Sequence, residues 1–365
     1  MAKNAIIIGA GLSSLTAAAL LAKKGIAVTV IDNQYQPGGG CGIFKRGNYT
    51  FDQGVGMLFG FGERGFNPHR YVMDILEEPI EMVRHKALYS LNYRGQRIIF
   101  WPDMERFYEE LGRLFPGSIR QIRDFYEYII DLYENVISKA VVYMSPAEMR
   151  KRDLFLQLLR HPVRQIRTLN LLPKSAAFLF RKFVDDPEAE AFFNKLTSTY
   201  SYTSLEETPA IMAITMFVDN HVGGSYYPVG GSAAVPARLE HAIEKHGGRI
   251  IYETRVSEIL FRNCRAVGVK TESGEEYRGD AVLYGGTIWN LYDRLIPPSI
   301  DIGAEGASYR SMEPTYPSMV VYGAVDTSAI PPGTLPVEML ASADAGIDET
   351  EVTVYIPTLD DPTLA

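Results

Sequence analysis

Apolar positions open the chain in two unbroken runs with a helical stretch between them. Ile6 to Ile8 reads as a buried parallel strand, a helix of small and apolar residues starts at Gly11, and a second strand ends at Asp32. Farther on, Ala87 to Trp101 predicts a hairpin turning at Arg94-Gly95. Ile122, Phe125, Tyr126, Ile129, Tyr133 and Val136 then recur with a 3.6-residue period, so residues 103–220 read as mostly helix with one face in a core. A helix over Ala233 to Lys245 is stopped by Gly247-Gly248. After it, Arg249 to Tyr252, Val256 to Phe261, Ala266 to Lys270, Asp280 to Tyr284, Ser318 to Val325 and Val352 to Ile356 alternate or run apolar as strands do.

The chemistry begins where the first strand meets its helix. Gly9-Ala10-Gly11-Leu12-Ser13-Ser14 is a glycine turn in which Gly9 bends the chain and Gly11 lets backbone approach a pyrophosphate. The amides of the helix start then face the phosphate charge. Ser14 stands at the third glycine of the pattern and is small enough to keep helix and strand close. Asp32 follows Gly11 by 21 residues, where a carboxylate takes ribose hydroxyls and repels a 2′-phosphate, which favours FAD or NAD over NADP. A secretory signal is excluded: two glycines interrupt the apolar run, and Lys23-Lys24 occupy the place of a cleavage site. Pro37-Gly38-Gly39-Gly40 permits a second close backbone approach, and Tyr49-Thr-Phe-Asp52-Gln-Gly54 begins another strand and turn.

An acid closing the second strand, a glycine pair soon after, and F-D-x-G resemble the long FAD signature of the amine oxidase and phytoene desaturase group. Tyr227-Pro228-Val-Gly230-Gly231 resembles the group's Y-P-x-G-G turn, which returns the chain to the FAD domain. The resemblance implies an α/β fold of mixed α+β character. It is a Rossmann-like FAD-binding domain with an interleaved substrate domain of sheet plus helical insert. The implied division is 1–85 and 225–298 for the FAD domain, and 86–224 and 299–365 for the substrate domain. FAD would be held by Gly9, Ala10, Gly11, Leu12, Ser13, Ser14, Asp32, Gly38, Gly39 and Gly54, with the backbone of Val256 against the adenine. The chain reads Gly285-Gly286-Thr287-Ile-Trp289 where the family usually has a small residue, then Asn-Ala-Thr.

Within the group the chain is similar to the carotenoid isomerase (prolycopene isomerase-like) branch. The phrases that carry this are Met57-Leu-Phe-Gly60, Leu172-Pro173-Lys-Ser-Ala-Ala, Lys182-Phe-Val-Asp-Asp-Pro187, Gly223-Gly224 before the Y-P turn, and Ile356-Pro-Thr-Leu-Asp-Asp-Pro-Thr-Leu-Ala365. In the family that last phrase continues into a long stretch that finishes the substrate sheet and adds a glycine-rich segment against the flavin. The resemblance therefore implies a fragment lacking that remainder.

Charge is uneven. The chain carries a net −8, yet Arg150 to Lys182 holds nine Lys or Arg against Asp153 alone, a local +8. Leu154, Phe155, Leu158 and Leu159 share a helical face there, followed by Val163, Ile166, Leu169, Leu171 and Leu172, and no run is long enough to span a bilayer. Such a segment is either a solvated basic face over a core or a peripheral contact with an anionic membrane. An acidic protein without a recognised module is a poor candidate for nucleic acid. Cys41 and Cys264 are too far apart for a metal or redox pair and indicate a reducing compartment, so a cytoplasmic location is expected, with any membrane contact on the inner face. No metal cluster, phosphate-transfer loop or Ser-His-Asp arrangement stands out. His221 is the histidine to watch, and catalytic residues are otherwise unassigned.

What the resemblance implies is an FAD-dependent oxidoreductase acting on a long conjugated isoprenoid, a carotenoid-type polyene, by cis-trans isomerisation or desaturation. Saturation of one double bond is a third reaction in the class. The 22 Tyr and 17 Phe suit an aromatic-lined apolar site. Two other readings stay open, a carrier of prenylated or apolar ligands on the same fold and a flavin amine oxidase. Oligomeric state is not indicated.

Overall fold

The computed structural model describes residues 3–138, 152, 162–315, 317–341 and 351–364. Strand β1 (Asn4–Ile8) leads into helix α1 (Leu12–Lys23) and β2 (Ala27–Ile31), which pairs with β1 in parallel from Asn4↔Ala27 to Ile8↔Ile31. β3 (Ile43–Arg46) and β4 (Tyr49–Asp52) form an antiparallel pair, followed by α2 (Pro68–Leu76) and β5 (Met82–Arg84). The hairpin expected over 87–101 is β6 (Tyr89–Tyr93) and β7 (Gln96–Phe100), its turn made by Arg94 and Gly95, both with positive φ. Helices α3 (Met104–Leu114), α4 (Ile119–Leu132), α5 (Pro162–Leu171), α6 (Ala176–Arg181), α7 (Pro187–Ser201) and α8 (Ala210–Gly223) follow. A single π-helical turn, Tyr133–Ile137, extends α4.

The chain then runs through β8 (Tyr226–Pro228), α9 (Ala234–Lys245), β9 (Arg249–Ile251), β10 (Val256–Arg262), β11 (Arg265–Thr271), β12 (Glu276–Arg278) and β13 (Ala281–Tyr284). Two more strands, β14 (Val337–Ala341) and β15 (Glu351–Tyr355), come last. The first sheet has order β13-β1-β2-β9 with every pairing parallel. Its strands are apolar because α1 and α9 cover it on one side through Leu15, Ala18, Ala19, Leu239 and Ile243. On the other side, Ile6, Ile8 and Ile31 pack with Val256, Ile259 and Val269 of the β10-β11-β12 sheet. The sheet β15-β14-β6-β7 bears on the helical core of Phe107, Phe125, Tyr126, Phe192 and Phe193.

One predicted strand fails. Residues 318–325 form no strand; Met319, Val321 and Val325 are 89%, 82% and 71% exposed. The place beside β6 is taken by β14, whose Glu338 to Ala341 pair in parallel with Ser90 to Tyr93. An apolar run forms a strand only where a neighbour offers its ladder, and at 318–325 none does among the described residues. The chain is fixed instead by Tyr322, whose ring meets Phe44 edge-on at 4.6 Å and whose hydroxyl donates to the Gln53 carbonyl at 2.5 Å. Leu154, Phe155, Leu158 and Leu159 lie outside the described residues.

Candidate functional site

At the carboxyl end of β1 the chain turns through Gly9, whose φ is +98°. The Ala10 N–H donates to Asp32 Oδ2 at 2.5 Å and the Gln34 N–H to Oδ1 at 2.7 Å, so the carboxylate is clamped at the end of β2 with lone pairs to spare. Gly11 is extended (φ −72°, ψ 166°) and bridges Gly38, whose N–H donates to the Ala10 carbonyl at 2.8 Å. Gly38 has φ +118°, and a Cβ there would come within 2.9 Å of the Pro236 ring and 3.1 Å of the backbone at Cys41 and Gly42, so only glycine fits. Gly39 faces Gly11, and Gly54 lies beside the Gly40 carbonyl. Val256 begins β10 two residues after Thr254, whose N–H donates to the Asp32 carbonyl at 2.9 Å, and it packs with Ile8 and Ile31.

The structure thus gathers Gly9 to Ser14, Asp32, Gly38, Gly39, Gly54 and Val256 around one end of the parallel sheet. The N–H groups of Leu12, Ser13 and Ser14 open the first turn of α1, where no intrahelical acceptor reaches them and no side chain caps them. An anion is favoured there by those amides and by the helix dipole. A Cβ on Gly11 would meet no atom of the described residues beyond its chain neighbours within 4 Å, so the space in front of the turn is open. A clamped carboxylate, uncapped amides and an open glycine face suit the ribose and pyrophosphate of a dinucleotide.

Two further blocks brace this turn. Asp52 Oδ1 accepts from the Ser232 N–H at 2.9 Å and Oδ2 from the Tyr227 hydroxyl at 2.5 Å. Ser232 Oγ donates to the Gly42 carbonyl at 3.2 Å, and Asp361 Oδ2 accepts from the Gly230 N–H at 2.8 Å. Burial first, and then the Asp52 carboxylate, drive the Tyr227 hydroxyl well above the usual phenol range, so it stays a donor. Cys41 is buried in the glycine run, and burial followed by the Asp52 charge pushes its thiol up to about 11. A thiol so protonated is a poor nucleophile, which argues against a redox role.

His221 belongs to the helical core. Its Nδ1 lies 2.7 Å from the Trp101 carbonyl, its ring is 4.6 Å from Phe107, and burial lowers its pKa from 6.5 to about 4. It is neutral at physiological pH and packed away from the glycine turn's partners, a structural rather than an acid-donating histidine. Its folded pKa lies below the unfolded value, so its contribution to stability is complete above about pH 6.5 and is lost as pH falls toward about 4. The expected loss is about 3 kcal/mol across that window. Urea unfolding from about pH 7.5 to about pH 4.5 should show the fall, and His221→Leu should flatten it; an unchanged profile in the variant would show that other groups cause the fall.

A Ser-His-Asp arrangement, invisible in the sequence because its members are scattered, is present. His85 Nε2 is 2.7 Å from Asp360 Oδ2, and its Nδ1 is 2.7 Å from Ser225 Oγ. The ring thus bridges the carboxylate and the serine hydroxyl through its two nitrogens. Ser225 is 0% exposed and the His85 N–H also donates to its carbonyl. No substrate reaches such a serine, so the trio fastens residues 357–364 to the β5-β8 pair. Among the described residues no helix is long and apolar enough to cross a membrane, and no three potential metal-ligating side chains cluster.

The sequence profile of the family described as flavin containing amine oxidoreductase matches residues 12–329. Prolycopene isomerase 1, chloroplastic, of an Oncidium hybrid cultivar is 28% identical over 99% of this chain and 62% of its own length. A phytoene desaturase of Phycomyces blakesleeanus is 28% identical over 81% of this chain and 50% of its own. In fold, the crystal structure of an oxidoreductase from Methanosarcina mazei superposes with a TM-score of 0.58 at 19% identity, covering 84% of this chain and 64% of that one. The chain spans 54% to 62% of the length of the prolycopene isomerases it matches.

Proposed function

We propose, on the premise that this chain belongs to the flavin containing amine oxidoreductase family, that its protein acts on a long conjugated isoprenoid by isomerisation or desaturation. The cofactor is FAD. The observation that carries the reading is the convergence of the Gly9–Ser14 turn, the clamped Asp32 and the Gly38–Gly54 segment on one sheet end. The named activities of the relatives, prolycopene isomerisation and phytoene desaturation, support the substrate class. FAD supplies hydride or electron transfer when bound. The chain's own part is to place α1's amides against the pyrophosphate, to hold ribose hydroxyls at Asp32, and to fix the glycine segments through Asp52. In this reading residues 1–85 and 225–298 form the FAD domain, and 86–224 and 299–365 the substrate domain.

The test is the visible spectrum of the purified protein, followed by incubation with a cis-polyene and with a saturated precursor. A flavin spectrum with a product of unchanged mass supports isomerisation, and loss of a pair of hydrogens per step supports desaturation. A colourless full-length protein that takes up no added FAD would favour the ligand-carrier reading, and turnover of an amine alone would favour an amine oxidase.

The reading extends to a membrane surface. Val163, Ile166 and Leu169 lie along α5 at spacings of three and are 63%, 52% and 51% exposed, followed by Leu172 and Phe178 at 59% and 49%. Lys174 and Lys182 flank them in the basic segment. An apolar stripe beside cationic residues suits an anionic interface, through which an apolar substrate would be drawn. Co-sedimentation with vesicles containing phosphatidylserine should be strong at low salt and weaken as salt rises. The double substitution Ile166→Asp, Leu169→Asp should cut it at least tenfold without changing flavin content. Salt-independent or absent binding would overturn this part of the reading.

A further inference from the structure

We propose that Ser14 and Gly285 form a matched pair in which the Ser14 hydroxyl is an added hydrogen-bond donor to the FAD pyrophosphate; this rests on the flavoprotein reading above. Ser14 is 5% exposed, and its Oγ has no hydrogen-bond partner among the described residues. A buried hydroxyl without a partner is destabilising and rare, and points to a group that is bound there in use. A serine inside a helix ordinarily bonds back to the carbonyl four residues earlier. Here that carbonyl, Ala10, accepts the Gly38 N–H instead.

Where the hydroxyl sits is set by its neighbours. Gly9 follows β1, and Gly285 follows β13 with its N–H donating to the Ile8 carbonyl at 3.0 Å. A Cβ built on Gly285 would stand 1.7 Å from Ser14 Oγ and 3.1 Å from its Cβ, and one on Gly9 would stand 3.9 Å from the Oγ. The hydroxyl therefore fills the gap between two strand ends, and its residue lies in the first turn of α1, the helix whose N-terminal amides have no side-chain cap. The chain departs from the resembled pattern at Ser14, which stands at the third glycine, and again over the stretch that begins at Gly285. In space these departures are one contact: the glycine that the helix lacks is supplied by the strand facing it. A phosphate oxygen drawn to the α1 amides is the acceptor that the hydroxyl lacks.

The experiment measures FAD affinity of apo-protein by flavin fluorescence quenching, with thermal unfolding of each apo form alongside. Ser14→Ala removes the hydroxyl with little change of volume, and should weaken FAD binding about tenfold while the apo midpoint holds or rises, since the hydroxyl has no partner there. Gly285→Ala should weaken binding more, because its methyl displaces the hydroxyl. The double variant Ser14→Gly, Gly285→Ala removes that clash and should return to the level of Ser14→Gly alone. Unchanged affinity in Ser14→Ala, or strictly additive losses in the double variant, would overturn the pair. A full-length parent protein that takes up no FAD overturns the flavoprotein reading and this inference with it. A parent that binds FAD beside an equally competent Ser14→Ala overturns this inference alone.

Discussion

Gly11→Val should leave the apo-protein folded and unable to hold flavin. Gly11 has φ −72° and ψ 166°, a conformation that valine adopts readily, and a Cβ there meets no atom of the described residues beyond its chain neighbours within 4 Å. The cost to the apo fold is therefore small, about 1 kcal/mol or less from the poorer helix cap. The isopropyl group projects into the open face of the turn, where the pyrophosphate must come against backbone to reach the α1 amides. Affinity for FAD should fall at least about 100-fold, or about 2.7 kcal/mol. Flavin titration and thermal unfolding of the apo form together check it. Normal flavin content in the variant would refute the assignment of this turn; a collapsed apo midpoint would mean that the space serves the protein rather than the ligand.

The parts of this molecule that were legible in the sequence are those whose determinants are local. Ala5 to Asp32 encodes strand, turn, helix and strand in one continuous pattern, and the structure follows it in that order as β1, α1 and β2. Arg94-Gly95 likewise marks a tight turn that needs positive φ at both positions. What escaped was decided by partners distant in sequence. Ser318 to Val325 is as apolar as β14, but only β14 finds the edge of β6. His85, Ser225 and Asp360 carry no motif, since they come from three separate segments. His221 looked available because it precedes a glycine pair, yet α8 turns it onto Phe107 and the Trp101 carbonyl. The tyrosines and phenylalanines counted as a possible lining are in good part the helical core itself, packed edge to face, as with Phe125 against Phe180 and Phe193.

Asp52→Ala should be the most damaging change at the site that touches no cofactor-facing glycine. Its carboxylate accepts from the Tyr227 hydroxyl at 2.5 Å and the Ser232 N–H at 2.9 Å, and so joins the end of β4 to the segment that enters α9. Tyr227 is 1% exposed, so truncation strands a buried phenol with no water to replace its acceptor. Two donors lose a charged acceptor at once, and the expected cost is about 3 kcal/mol of folding stability. The loss reaches the cofactor turn because Ser232 also holds the Gly42 carbonyl, and the Cys41 and Gly42 N–H groups close onto the carbonyls of Gly38 and Gly39. FAD affinity should fall with stability, in contrast to Gly11→Val, where the two separate. Asp52→Asn keeps an acceptor for Tyr227 but presents no second carboxylate oxygen to Ser232, and should recover about half of the lost stability. Urea unfolding and flavin titration of the two variants check the ordering. If Asp52→Ala were as stable as the parent, the Tyr226–Ser232 block would be held by Asp361 and the Gly230 N–H rather than by Asp52.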